Sequence, residues 1–186
     1  DRSTGSVTMS GDELFTLRPE ALRQKRREIQ MIPQDPLASM NPRMTVGDAL
    51  VEPFTEHRLG TAAEGRAKAA TLMEQVGLDP AGRERYPHAF SGGQRQRINI
   101  ARALALSPRL VVADEPVSAL DVSVQAQIVN LFADLRERLG LTYVFVAHDL
   151  AVVRQISTRV AVMYLGAIVE CGGTDDVLHA PAHPYT

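Results

Sequence analysis

The chain has 186 residues, of which 45% are hydrophobic and 23% are charged, and this composition predicts one globular domain, or a large part of one, with a buried core. Its 20 basic and 22 acidic side chains nearly cancel, which excludes an overall electric field that attracts nucleic acid or an anionic membrane. The single cysteine, Cys171, forms no internal disulfide and indicates a reducing compartment such as the cytosol.

The first 34 residues predict strands and one helix. The stretch "GSVTMSG" alternates small and apolar residues and indicates a strand that ends in a turn at Ser10 to Asp12. We interpret it as an internal strand of a sheet, and we therefore expect a fragment whose N-terminal β-part is missing. A basic helix is predicted from Pro19 to Arg27, and a strand from Glu28 to Ile32 ends before Pro33.

Residues 35–107 predict an inserted α-helical subdomain, because their apolar residues recur at helical spacing between turns rich in proline and glycine. The inward positions predicted here are Val46, Leu50, Leu72, Met73 and Val76. The segment closes with "SGGQRQRINIARALALSP", a helix that ends at Pro108. One face of that helix is predicted to carry Ile98, Ala101, Leu104 and Ala105.

Residues 108–186 alternate strands with helices and, together with residues 1–34, predict an α/β core. Strands are expected at Leu110 to Ala113 and Thr142 to Ala147, with a parallel sheet covered by helices on both sides. A helix capped by Asp121 is expected from Val122 to Leu139, with a short helix at Leu150 to Ile156. The apolar stripe of the longer helix is predicted to be Val124, Ile128, Leu131, Leu135 and Leu139. Two strands from Arg159 to Glu170 that turn at Gly166, and a helix near Thr174 to His179, complete the predicted elements.

Two adjacent carboxylates, Asp114 and Glu115, end the apolar strand "LVVA". Successive side chains of a strand point to opposite faces, so the two acids can serve different atoms. One can hold the water shell of a metal ion while the other addresses a nucleophile. The carboxyl end of a parallel strand is where open α/β sheets bind ligands.

Two further motifs predict phosphate chemistry. Ser91 to Gln94, "SGGQ", offers a hydroxyl, two glycines that allow close backbone approach, and a helix N-terminus with partial positive charge. His148 directly follows the strand "TYVFVA", where its imidazole can reach a terminal phosphate or an attacking water.

Five ordered motifs, namely the glutamine of "MIPQDP", "SGGQRQR", "LVVADEP", "SALD" and "VAHD", resemble the nucleotide-binding domain of ABC transporters. The resemblance covers almost the whole chain and implies a P-loop NTPase-like α/β fold and an ATPase that uses ATP and Mg²⁺. The stretches "QDPLASMNPRMTVGDALVEP", "DEPVSALDVSVQAQI" and "HPYT" are similar to the oligopeptide and dipeptide importer subgroup. That subgroup implies peptide transport by a subunit at the cytoplasmic face of the plasma membrane.

Within one subunit, the resemblance implies roles for four residues. Gln34 would sense Mg²⁺ and the γ-phosphate and link to the permease, and Asp114 would lie near Mg²⁺, so that these two residues are the expected metal site. Glu115 would be the general base that polarises water, and His148 would be the switch histidine.

Across a subunit pair, Ser91, Gly92, Gly93 and Gln94 would form the signature that contacts ATP bound to the opposite subunit, and Asp121 would close the dimer contact. The implied partners are a second ABC subunit, identical or paralogous, transmembrane permease subunits and, indirectly, a solute-binding protein. Nucleic acid is not an expected partner, since the basic run "RQKRRE" reads as a solvated helix face without an aromatic platform.

The phosphate-binding segment G-x-x-x-x-G-K-[ST] does not occur in the sequence, because Lys25 follows Gln24 and Lys68 follows Ala67. That segment supplies backbone donors, a lysine charge and a Mg²⁺ ligand, so we expect these residues alone to bind ATP poorly. Two alternatives stay open. One is an ABC-type ATPase of DNA repair or chromosome maintenance, although no heptads of a coiled-coil arm lie between Gln34 and Ser91. The other is a non-catalytic truncated remnant.

Overall fold

The computed structural model describes residues 4–186, and in that range it contains a small parallel sheet, two antiparallel hairpins and seven α-helices. The strands are β1 (Thr8–Met9), β2 (Asp12–Glu13), β3 (Ile29–Ile32), β4 (Leu110–Asp114), β5 (Thr142–Val146), β6 (Arg159–Tyr164) and β7 (Ala167–Gly173). The helices are α1 (Pro19–Glu28), α2 (Val46–Glu56), α3 (Ala62–Gln75), α4 (Gly92–Leu104), α5 (Val122–Leu139), α6 (Leu150–Ile156) and α7 (Thr174–His179).

The predicted parallel sheet is confirmed, with strand order β3-β4-β5 and β4 in the centre. Ile32 lies opposite Ala113, and Ala113 lies opposite Phe145 in the next strand. All three strands therefore run in one direction, and their carboxyl ends meet at the same edge of the sheet. The chain reaches β4 from β3 through helices α2 to α4 and reaches β5 through α5.

Only one face of this sheet is covered, so the prediction of helices on both sides is wrong for the described residues. Val111 and Ala113 point into the core, where Phe132 of α5 contacts Tyr143 and Phe145 edge-on. The opposite face carries Met31, Val144 and Val146, which are 58%, 50% and 45% exposed. Apolar strands therefore do not by themselves report how many faces of a sheet are covered.

Helices α2 to α4 form the middle of the chain and bury the apolar positions that the sequence predicts. Val46, Leu50, Leu72, Met73 and Val76 are at most 4% exposed. The predicted face of α4 is also buried and contributes Ile98, Ala101, Leu104 and Ala105 to the core. These side chains belong to the same hydrophobic cluster as Val111 and Ala113 of β4. Helices α2 to α4 and the parallel sheet therefore share one hydrophobic core.

Several element boundaries differ from the predictions. The strand in "GSVTMSG" is a hairpin of the two short strands β1 and β2, closed by Ser10 and Gly11 at positive φ. Glu28 ends α1 and does not begin β3, and β7 continues to Gly173.

The predicted apolar stripe of α5 is buried at Ile128, Leu131 and Leu135, but Val124 is only partly buried and Leu139 is 42% exposed. The helix ends at Gly140, with φ of +65°. Leu139 is the last helical residue, and the chain returns to the core at Leu141, which is 6% exposed. Among the described residues, no helix combines the length and the hydropathy needed to cross a bilayer.

Candidate functional site

Three polar side chains meet at the carboxyl edge of the parallel sheet. Gln34 lies two residues after β3, Glu115 directly after β4, and His148 two residues after β5. The Gln34 amide Nε2 donates a hydrogen bond of 3.2 Å to Glu115 Oε2. Nδ1 of His148 lies 3.4 Å from the same oxygen. Residues far apart in sequence therefore converge on a single carboxylate.

Glu115 has an unusual backbone conformation, with φ of +43°. Non-glycine residues rarely adopt this left-handed region, and the strain costs about 1–3 kcal/mol. Hydrogen bonds hold the strained residue, because its N–H donates to the Val146 carbonyl at 3.0 Å and its carbonyl accepts from the Ser118 amide and hydroxyl at 3.2 and 3.1 Å. This geometry points the carboxylate to the edge of the sheet, where its side chain is 30% exposed.

Ser118 and Gln125 are two residues of this region that the motif analysis did not single out. Gln125 Nε2 donates to the carbonyls of Val117 and Leu120, both at 3.0 Å. The loop between β4 and α5 is therefore held at both ends by side chains. The sequence signal for the contact between the Ser118 hydroxyl and the Glu115 carbonyl is a serine three residues after Glu115, since serine side chains commonly bond to nearby backbone.

Asp114 is the last residue of β4 and lies opposite Val146 in the register. Because side chains alternate along a strand, it points to the exposed face of the sheet, away from Ala113. Within residues 4–186, no hydrogen bond or ion pair joins Asp114 to Gln34, and no cluster of three or more His, Cys, Asp or Glu side chains has metal-binding geometry. The two expected metal ligands nevertheless lie at the ends of adjacent strands, β4 and β3.

Ser91 to Gln94 begin α4 with a capping box. The Ser91 hydroxyl accepts from the backbone N–H of Gln94 at 3.3 Å, and the backbone N–H of Ser91 donates to the side-chain oxygen Oε1 of Gln94 at 2.9 Å. The first turn of α4 contains no acidic residue. Its partial positive charge is therefore not neutralised from within the helix, and such a terminus suits an anion.

The two glycines of this turn lie beside the start of α5. A Cβ atom built on Gly93 would lie 2.5 Å from Val124 Cγ1, which is too close for any real contact, whereas one built on Gly92 would lie 3.6 Å from Leu120 Cδ2. Gly93 is thus required by packing. The backbone of α4 approaches α5 closely because no side chain separates them at this position.

Asp121 caps α5, as the sequence predicts. Its Oδ1 accepts from the Ser123 hydroxyl at 2.8 Å and from the Val124 amide at 3.0 Å. These two donors, the hydroxyl first, lower the pKa of the Asp121 carboxyl. The exposed Asp121 carboxylate lies at the end of the loop that begins at Glu115. It is also near the start of α4, because it accepts from the amide of Val124, whose side chain lies beside Gly93.

The comparisons with known proteins agree with one another. The family described as "ABC transporter" matches residues 1–118. The chain is 53% identical over 182 residues to the glutathione import ATP-binding protein GsiA of Pectobacterium atrosepticum, and 54% identical over 182 residues to that of Escherichia coli strain K12. Each alignment covers 98% of this chain but 29% of the relative, so the chain spans less than a third of the length of these relatives.

Two solved structures share the architecture. The dimeric structure of a post-hydrolysis state of the ATP-binding cassette MJ0796, bound to ADP and Pi, superposes with a TM-score of 0.80 at 28% identity and covers 92% of this chain and 74% of that one. The structure of cbiO1 from Clostridium perfringens, part of the ABC transporter complex cbiONQ, gives a TM-score of 0.83 at 22% identity, covering 96% and 69%. The second likeness concerns the fold alone. The predicted P-loop NTPase-like α/β fold is confirmed.

Proposed function

The chain belongs to the ABC transporter family, and we propose that it carries the ATP-hydrolysing site of an importer subunit that works with a membrane permease. The observation that carries this proposal is the convergence of Gln34 and His148 on Oε2 of Glu115. The similarity to proteins named as import ATP-binding proteins supports the same conclusion.

Glu115 is the general base in this proposal. Both neighbouring side chains contact Oε2, which leaves Oε1 to accept a proton from the attacking water. Gln34 fixes the carboxylate through its amide, and His148, whose side chain is 70% exposed, faces the space beyond the sheet edge where a terminal phosphate would lie. A base in reach of its proton contributes about 10²- to 10⁴-fold to a rate.

Asp114 and Gln34 are the proposed protein ligands of Mg²⁺. Mg²⁺ bound with a nucleotide needs only one or two protein oxygen ligands, the rest coming from phosphates and water, and two oxygen-bearing side chains at the ends of β4 and β3 fit that need. When bound, the ion would neutralise charge on the phosphates. The protein contributes the position of the ligands, since Asp114 is fixed by the β4–β5 register.

The start of α4 is proposed to face a second subunit. Ser91, Gly92, Gly93 and Gln94 would contact ATP held by that subunit, and Asp121 would lie at the same dimer contact. The un-neutralised first turn of α4 supports phosphate binding there. The dimeric arrangement of the related cassette MJ0796 with ADP and Pi supports pairing of two such subunits.

Small peptides are the proposed cargo class. The relatives in Pectobacterium atrosepticum and Escherichia coli are named for import of glutathione, which is a small peptide. In this proposal the subunit lies at the cytoplasmic face of the inner membrane, residues 35–107 form the helical subdomain next to the permease, and a separate solute-binding protein delivers the cargo.

The decisive experiment is Glu115→Gln in the full-length protein. The amide cannot accept the proton of the attacking water, so we expect steady-state ATP hydrolysis to fall by about 10²-fold or more. Nucleotide binding should stay within about twofold, since the side chain keeps its size. Gln127→Leu, an exposed change on α5, serves as the control and should hydrolyse ATP at the wild-type rate. Wild-type turnover in Glu115→Gln would refute the assigned role.

A second experiment concerns the 186-residue chain on its own. It contains no G-x-x-x-x-G-K-[ST] segment, and this segment supplies the phosphate donors of P-loop ATPases. We therefore expect the isolated polypeptide to show no Mg²⁺-dependent ATP hydrolysis above the background of its Glu115→Gln variant. Clear turnover that disappears in that variant would contradict the expectation.

A further inference from the structure

A fully buried amide lies in the second turn of α4. The side chain of Gln96 is 0% exposed. Neither its Oε1 nor its Nε2 atom has a hydrogen-bond partner among residues 4–186. Buried polar groups of folded proteins are nearly always paired, so this amide requires a partner other than those residues.

Asn99 lies one turn further along the same helix face, since residues three apart in a helix are neighbours. It is 3% exposed. Its Oδ1 lies 3.0 Å from the Ser39 hydroxyl, which shares its one proton between this oxygen and the Pro36 carbonyl at 2.9 Å, whereas its Nδ2 lacks a partner among the described residues. The two side chains therefore present one acceptor and two amino groups, all buried and unpaired, along one stripe of α4.

Water is the ligand that suits these atoms. It donates to an amide oxygen and accepts from an amide N–H, and buried waters usually make about three such hydrogen bonds. Amide oxygens alone do not hold a divalent metal ion, which needs at least one carboxylate, and a phosphate needs a cation or a helix N-terminus. Neither Gln96 nor Asn99 supplies any of these groups.

Ser39 connects this stripe to the segment that follows Gln34. The Ser39 hydroxyl lies within hydrogen-bond distance of Asn99 Oδ1 and of the Pro36 carbonyl, and the Ser39 carbonyl accepts from Arg102 Nη1 at 2.9 Å. The same segment is braced internally, because Asp35 Oδ1 accepts from the amides of Leu37 and Ala38 at 2.8 and 3.1 Å. These contacts join α4 to the segment that follows Gln34.

We propose that Gln96 and Asn99 form a buried water-binding site, and that through Ser39 this site fixes residues 35–40 to the helix that begins with Ser91 to Gln94. Gln96 and Asn99 are then positioning residues, which set the place of Gln34 relative to α4 without touching nucleotide. The effect on hydrolysis rests on the proposed function, whereas the water site itself does not.

The water is tested by a crystal structure of the full-length protein at a resolution that shows ordered solvent. We expect a water about 2.7–3.2 Å from an amide atom of Gln96, and the same water lost or displaced in Gln96→Leu. A dry cavity in the wild type, or direct pairing of the Gln96 amide with another protein group, would overturn the site. This readout stands even if the protein hydrolyses no ATP.

The positioning role is tested by ATP kinetics of the full-length protein. Gln96→Leu and Ser39→Ala should lower kcat about fivefold while KM for ATP changes less than about twofold, since no nucleotide contact is altered. Ser39→Thr keeps the hydroxyl and should restore kcat, and the exposed change Gln127→Leu should not alter it.

Equal kcat in Ser39→Thr and Ser39→Ala would overturn the positioning role, as would a raised KM with unchanged kcat. If the wild-type protein itself shows no hydrolysis, the proposed function fails, and the crystallographic water alone then decides the site.

Discussion

Helices α3 and α4 begin with the same local device, a capping box, and differ in what it leaves free. In α3 the Thr61 hydroxyl accepts from the Glu64 amide at 3.3 Å and also donates to Glu64 Oε2 at 2.8 Å. In α4 the Ser91 hydroxyl accepts from the Gln94 amide, and among the described residues it donates to no group. The Thr61 hydroxyl therefore both donates and accepts, whereas the Ser91 hydroxyl has no acceptor for its proton within residues 4–186.

The charge at the two helix starts differs in the same sense. The Thr61 amide and, second, the Thr61 hydroxyl donate to the Glu64 carboxylate and lower its pKa. That negative charge neutralises the N-terminus of α3, whereas α4 has only the neutral Gln94 at the same place. The two caps share their geometry but differ in charge, and only the start of α4 has the charge that the proposed phosphate contact needs.

The largest effect is expected when the α4 box is converted into the α3 box. Gln94→Glu places a carboxylate beside the Ser91 hydroxyl, where it takes up the free proton and repels phosphate. In the full-length protein we expect ATP hydrolysis to fall by roughly 10²-fold, since a hydrogen bond to a charged group is lost and a repulsion is added. The thermal unfolding temperature of the protein should not fall, because an acidic residue stabilises the first turn of a helix.

The reciprocal variant is the control for this prediction. Glu64→Gln should leave hydrolysis within about twofold of the wild type, because α3 carries no proposed ligand contact. A Gln94→Glu protein with wild-type hydrolysis would remove the distinction between the two helix starts.

A smaller effect is expected from removing each cap hydroxyl. Ser91→Ala and Thr61→Ala should each lower the free energy of unfolding by about 1 kcal/mol, the usual contribution of an N-cap. Only Ser91→Ala should also slow hydrolysis, by roughly 10-fold for a lost hydrogen bond of about 1.5 kcal/mol to a charged group. Denaturant titration and steady-state hydrolysis measure the two quantities, and equal hydrolysis in both variants would count against phosphate binding at Ser91.

The last prediction concerns stability alone and separates the two glycines of α4. Gly93→Ala forces a methyl group to within 2.5 Å of Val124 Cγ1, so we expect a loss of about 1–3 kcal/mol in the free energy of unfolding. Gly92→Ala meets Leu120 Cδ2 at an ordinary 3.6 Å and should be neutral or slightly stabilising. The close approach of α4 to α5 would be disproved by equal unfolding midpoints.

The regular elements of the fold could be predicted from the sequence because their signals are local. Helix α5 has an N-cap at Asp121 and a left-handed glycine at position 140, and both lie in the sequence as recognisable residues. The strands of the parallel sheet follow from short apolar runs bounded by turns. The exposed face at Met31 and Val144 could not be predicted, since burial depends on which other segments lie against the sheet.

The residues of the candidate site could be predicted from the sequence, but the contacts and backbone angles within the site could not. Motif order and the strand ends place Gln34, Glu115 and His148 at one sheet edge. The sharing of Oε2, the positive φ of Glu115 and the support from Ser118 depend on side-chain and backbone angles that no spacing encodes. The roles of these residues remain predictions until the variants are measured.

With Glu115 as the proposed general base, its left-handed backbone would make heat resistance and turnover favour different residues at this position. Glycine adopts a φ of +43° with little strain, so a mutant library screened only for survival of heating should accumulate glycine at position 115. A second screen for turnover should then discard the same clones. The preferred residue at this position would thus reveal which of the two properties had been under selection.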